Sequence, residues 1–134
     1  MIKTFDNPAG APAPAGPYSQ VVRVDVGGGS LLYVAGQIAL DDDGRVVAPG
    51  DMAAQAERIF ETIGQLLDAH GAAFSDIVKI TAFLTDLDRR PEYASAYKKR
   101  LLPDPPASTT VEVPRLFKPE ALIEVEVVAA VGSE

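Results

Sequence analysis

Two segments of this chain, Leu31–Ile38 and Ile123–Ala130, read as strands that are apolar on both faces. Successive side chains of a strand point to opposite sides, so a run with little alternation has to be covered twice. Helices packed on the sheet supply one cover. The other is expected to come from another copy of the chain, which makes a homo-oligomer the expected state. The number of strands does not fix the number of subunits.

The remaining punctuation places the other elements. Residues 1–17 carry Pro8, Pro12, Pro14 and Pro17 and read as an ordered arm without regular pairing. A strand opens at Tyr18-Ser19-Gln20 and runs to Val26, with a turn at Gly27–Ser30. The second strand is Leu31–Leu40, interrupted by Gly36, a residue that in a strand marks a bulge or the close approach of another backbone. After the Asp41–Gly44 turn, Met52, Ala56, Ile59, Phe60, Ile63, Leu66 and Leu67 recur at helical spacing. They predict a helix over 52–70 with Asp51 as its N-cap and Gly71 as its stop. Asp76–Leu84 reads as the third strand. A second helix follows over 91–102, opened by Pro91, with Tyr93, Ala96, Tyr97, Leu101 and Leu102 facing inward. Pro103, Pro105 and Pro106 end it and restart the chain as a fourth strand over 106–113. The fifth strand spans 122–130. The order ββαβαββ over 134 residues predicts one α+β domain, a mixed sheet with both helices on one face.

Composition excludes several classes of function. There is no cysteine and one histidine, so disulfides, thiolate metal sites and multi-histidine metal sites are ruled out. The net charge of −7 argues against a nucleic-acid surface, which normally needs a basic patch. No apolar run approaches the roughly 18–20 residues of a membrane span, and the N-terminus has no signal-peptide pattern. The expected compartment is the cytoplasm. Asp41-Asp42-Asp43-Gly44 lacks the spacing of a calcium loop and reads as a solvated turn. Gly27-Gly28-Gly29-Ser30 is followed by no helix and is not a phosphate loop. His70 and the Lys98-Lys99-Arg100 run sit at helix C-termini, where positive charge complements the dipole.

Five collinear segments then carry a resemblance that covers nearly the whole chain. They are Gly16-Pro17-Tyr18-Ser19-Gln20, Ala35-Gly36-Gln37-Ile38, Thr81–Leu87, Pro106–Val113 and Ile123-Glu124-Val125-Glu126. Together they resemble the RidA family, also called YjgF/YER057c/UK114. The resemblance implies a chorismate-mutase-like fold and a homotrimer with a small-molecule cleft between each pair of subunits. It also implies hydrolysis of reactive imines and enamines, such as 2-iminobutanoate and 2-aminoacrylate, with no metal and no organic cofactor.

Carried over residue by residue, the resemblance makes Glu124 the group that positions the attacking water and places Tyr18 in the cleft wall. Thr109, Thr110, Ala35 and Gly36 border the same cleft. The chain departs from the family where an arginine normally grips the substrate carboxylate: that position is Ser108. A hydroxyl offers one neutral hydrogen bond, worth about 0.5–1.5 kcal/mol, against about 1.5–3 kcal/mol for bonds to a charged group. Ala35 likewise stands where serine is usual, and Arg89-Arg90 stands where Asp-Phe is common, so Arg90 is a candidate replacement cation. The expectation is an arginine-lacking member that handles an imine, enamine or related small molecule and is a poor 2-iminobutanoate or 2-aminoacrylate deaminase. The alternatives are a non-catalytic small-molecule-binding trimer and, disfavoured by the acidic charge, an endoribonuclease.

Overall fold

The computed structural model describes residues 1–132. Six strands form one sheet: β1 (Ile2–Asp6), β2 (Val21–Asp25), β3 (Gly29–Gln37), β4 (Ile77–Leu84), β5 (Ala107–Glu112) and β6 (Ile123–Gly132). Two helices, α1 (Met52–Asp68) and α2 (Arg90–Leu101), follow β3 and β4. The spatial order is β1-β2-β3-β6-β4-β5. Only β4 and β5 are parallel; the other neighbours are antiparallel. This is the α+β mixed sheet the sequence predicts, with one strand added.

That strand is β1, and it corrects the reading of residues 1–17 as unpaired throughout. Its five residues pair antiparallel with β2, from Ile2 opposite Asp25 to Asp6 opposite Val21. The prolines begin only at Pro8, so they leave Ile2–Asp6 free to pair. β1 is an edge strand with exposed Ile2 and Phe5, which hides the burial pattern that marks an inner strand. Conversely, Tyr18–Gln20 lie before β2 rather than in it, and β3 ends at Gln37, short of Leu40.

Inner strands alternate between the two faces. Leu32 and Val34 of β3, Ile80, Ala82 and Leu84 of β4, and Ile123, Val125, Val127 and Ala129 of β6 point into the core under the helices. The α1 stripe meets them: Ala56, Ile59, Phe60, Ile63, Leu66 and Leu67 are fully buried. Asp51 caps the helix by accepting from the Ala54 N–H at 3.0 Å, and Gly71 follows at φ +72°. From α2, Tyr93, Ala96 and Leu101 enter the core, whereas Leu102, expected to face inward, is half exposed just beyond the helix. The opposite face of the sheet is uncovered and mixed. It carries Tyr33, Lys79, Thr81 and Glu126.

Two polar clamps hold the elements that bear the site. Gln55, fully buried on α1, accepts from Leu122 N (2.8 Å) and donates to Glu120 O (3.0 Å) and Ala48 O (3.2 Å). These bonds fix the entry into β6. Glu57 on α1 accepts from Lys99 Nζ (2.8 Å) and Arg100 Nη2 (2.7 Å) on α2. The Arg100 and Lys99 bonds pull its carboxyl down to about 2. The basic run therefore ties the two helices together. His70, at the end of α1, sits 2.9 Å from Asp6 of β1. No helix among the described residues is long and apolar enough to cross a membrane.

Phe60 stacks on Tyr93 at 6.2 Å and meets Phe74 edge-on, so it joins both helices to the core. Phe60→Ala is expected to destabilise the protein by about 3–5 kcal/mol, read from urea unfolding at fixed protein concentration; a loss below about 1 kcal/mol contradicts this packing.

Candidate functional site

The sheet register breaks in one place within β3. Tyr33 and Val34 pair with Val128 and Val127, but the next paired residue is Gln37, opposite Val125. Ala35 and Gly36 are thus bulged out of register, as a glycine inside a strand suggests. The Glu124 side chain occupies the space that Gly36 leaves. A Cβ on Gly36 would collide with the Glu124 carboxylate and lie 2.9 Å from its Cδ and 3.1 Å from its Cγ. The bulge expected at Gly36 is present, and what approaches the glycine is the Glu124 side chain rather than another backbone.

Glu124 is half-buried, and among the described residues its carboxylate has no hydrogen-bond partner. Burial pushes its carboxyl above the ordinary range, and the neighbouring Glu126 charge adds to the shift. A desolvated carboxylate with free lone pairs can take a proton from water near neutral pH.

The segment before β2 forms the wall facing it. Asn7 Oδ1 accepts from Gln20 N (2.8 Å), and Gln20 Nε2 donates to Pro12 O (2.6 Å), which folds the Pro-rich arm back on the sheet. Tyr18, 46% exposed, follows a tight turn in which its N–H donates to Gly16 O, and its hydroxyl accepts from Ala15 N at 3.3 Å. The result is a depression of about 60 Å³ that brings together Tyr18, Gly36 and Glu124. Gln20, Ile38 and the exposed Phe117 complete its lining. Sequence reasoning missed Gln20 and Phe117 as site residues. Gln20 lies in the same Gly16–Gln20 segment as Tyr18, and Phe117 is a bulky apolar side chain in a loop; both were available signals.

The other expected site residues lie elsewhere on the chain. Ser108 and Arg90 share a separate depression of about 520 Å³ with Tyr93, Ala94, Tyr97 and Lys98. It shares no lining residue with the first. Thr109 turns to the opposite side of β5, where its Oγ1 accepts from Lys79 Nζ at 2.7 Å. Thr110 pairs opposite Ala82 and is half-buried. Ala35 lines a third hollow of about 330 Å³ on the uncovered sheet face, beside Lys79, Thr81 and Glu126. One chain thus unites Tyr18, Gly36 and Glu124 in one wall, and Ser108 and Arg90 in another.

The family model described as Endoribonuclease L-PSP matches residues 9–131. A RutC family protein of Sulfurisphaera tokodaii is 38% identical, over 91% of this chain and 94% of its own. A 2-iminobutanoate/2-iminopropanoate deaminase of Bos taurus is 32% identical, over 98% and 93%. The crystal structure of YyfA, a Rid family protein of Yersinia pestis, superposes with a TM-score of 0.86 at 33% identity, covering 97% of this chain and all of that one.

Two outcomes test the Glu124 environment. Glu124 holds its proton more tightly in the folded chain than in the unfolded one. Stability therefore falls as pH rises from the ordinary carboxylate value, 4.5, through the raised one. Glu124→Gln is expected to be more stable than the native protein at neutral pH and equal to it below about pH 4; a stability difference that does not change with pH contradicts the shift. Gly36→Ala is expected to cost about 1–3 kcal/mol through overpacking against Glu124, measured by denaturant unfolding.

Proposed function

The chain belongs to the RidA family, and on that footing we propose that it is a homotrimer whose inter-subunit clefts hydrolyse a reactive imine, enamine or related small molecule. The observation that carries the reading is Glu124, a desolvated carboxylate without a partner among the described residues, set in one depression with Tyr18. In this reaction water adds to the carbon of a protonated imine, R₂C=NH₂⁺. Glu124 accepts a proton from that water as the C–O bond forms. Glu124 returns that proton to the nitrogen, the C–N bond breaks to release ammonia as the carbonyl forms, and the hydroxyl proton converts the ammonia to ammonium: R₂C=NH₂⁺ + H₂O → R₂C=O + NH₄⁺. Tyr18 lines the mouth and offers its hydroxyl to the substrate.

The division of the site into two walls supports the inter-subunit cleft. Ser108 and Arg90 cannot reach the Glu124 depression as part of its lining within one chain, so a second copy presenting that wall is the natural completion. Thr110 and Thr109 on the same strand would border it, with Ala35 and Gly36 on the facing side. Ser108 in place of arginine removes the bidentate grip on an α-carboxylate. Arg90 lines the same depression as Ser108, as does Lys98, and is our candidate for a compensating cation. A specific feature also favours a second reading, a trimer that binds a small molecule without turnover: Ser108 and Ala35 both replace polar contacts of the family's enzymes. RNA cleavage fits poorly with a net charge of −7.

Three measurements decide among these. Light scattering is expected to give about three times the 14.1 kDa chain mass; a mass near one chain removes the inter-subunit cleft. In a coupled assay, an amino-acid oxidase generates the imine and semicarbazide traps what survives. Native protein is expected to be slow on 2-iminobutanoate, and Ser108→Arg to raise kcat/KM about 10–100-fold, the worth of a charge-assisted grip. Glu124→Gln is expected to abolish turnover while the oligomer persists. No activity in either native or Ser108→Arg protein favours the binding reading.

A further inference from the structure

Gln20 is 3% exposed and lines the Glu124 depression, yet its amide is only half satisfied. Nε2 donates to Pro12 O at 2.6 Å, which fixes the orientation of the amide and leaves Oε1 as the other end. That oxygen is buried and has no hydrogen-bond partner among the described residues. Leaving a buried acceptor unpaired is costly, so such groups call for an explanation, and one next to a binding site points to a ligand donor.

The rest of the lining says what kind of donor. Glu124 contributes a second acceptor with free lone pairs. Tyr18 and Phe117 are exposed aromatics at the rim, and aromatic faces attract cations. No lysine, arginine or histidine lines the depression among the described residues. A neutral or anionic group would find little to pair with here. A small cation bearing several N–H groups would satisfy both acceptors.

We propose that Gln20 Oε1 and Glu124 form a two-acceptor seat for the substrate nitrogen, holding the protonated imine and then the ammonium ion it becomes. The inference rests on the hydrolytic reading for the identity of its substrate, but the seat itself is defined by ligand chemistry. It assigns the nitrogen end of the substrate to this wall and leaves the carbon substituents to the facing wall of Ser108 and Arg90. Gln20 is then a substrate-contacting residue, and its bond to Pro12 serves to aim Oε1.

The test uses methylammonium, a cation with no carboxylate and no reactive carbon, against the intact oligomer at constant ionic strength. Amide ¹H–¹⁵N NMR of the native protein is expected to show saturable movement of the Gln20 side-chain resonances with methylammonium and none with acetate. Gln20→Met, which keeps the volume and removes the amide, is expected to weaken binding about tenfold, as is Glu124→Gln. Asp68→Asn removes an exposed carboxylate that lines no part of the depression and is expected to bind as the native protein does. Undiminished binding by Gln20→Met, or native Gln20 resonances that ignore methylammonium, overturns the proposal. Should Gln20→Met fail to fold, the native titration alone decides. Gln20-dependent binding without imine turnover keeps the seat and sinks the hydrolase reading. Turnover without methylammonium binding does the reverse.

Discussion

A carboxylate that the fold leaves unpaired is the constraint around which this structure is arranged. Glu124 fits on the sheet because β3 bulges at Ala35-Gly36 and because residue 36 has no side chain. Water would solvate such a group freely, and a cation would neutralise it. Here it has neither a described partner nor full exposure, and its proton affinity rises accordingly. The neighbouring architecture keeps it that way. Gln55 fixes the start of β6, and the arm before β2 is tied down by Asn7 and Gln20. The core beneath is ordinary helix-on-sheet packing, and it supplies the rigidity on which an unpaired charge can be maintained.

Much of this was legible in the residues. Periodicity gave α1 its stripe, and Asp51 and Gly71 marked its ends because capping chemistry is local. Gly36 announced the bulge in β3. The resemblance that spans the chain grouped Glu124, Tyr18 and Gly36 with residues of β5 and α2, and within one chain those three share a depression. What the residues hid was set by long-range contact. β1 is an exposed edge strand, and its pairing with β2 leaves no burial pattern to read. Leu102, at the end of the α2 stripe, turns out because the helix stops at Leu101.

The division of the site was also invisible in one dimension. Ser108, Thr109 and Thr110 are consecutive, but a strand sends consecutive side chains to opposite faces. Thr109 goes to the open face with Lys79, while Ser108 goes to the side of α2. Ser108 and Arg90, 18 positions apart, line one depression because α2 lies between the parallel neighbours β4 and β5 in sequence. Gln20 was overlooked for the opposite reason. A buried glutamine is commonly satisfied by the backbone, as Gln55 is on all the counts that matter, and only coordinates reveal that Gln20 Oε1 is not.

The Glu57 clamp between α1 and α2 has a consequence for any titration of the protein. Its carboxyl loses its proton at about 2, whereas that of Glu124 is displaced to the other side of the ordinary value. Glu57 therefore gives up its proton at lower pH than Glu124 does. Acid that protonates Glu124 leaves the tie from Glu57 to Lys99 and Arg100 ionised, so the proton that neutralises the hollow at Gly36 is not the one that loosens the helices.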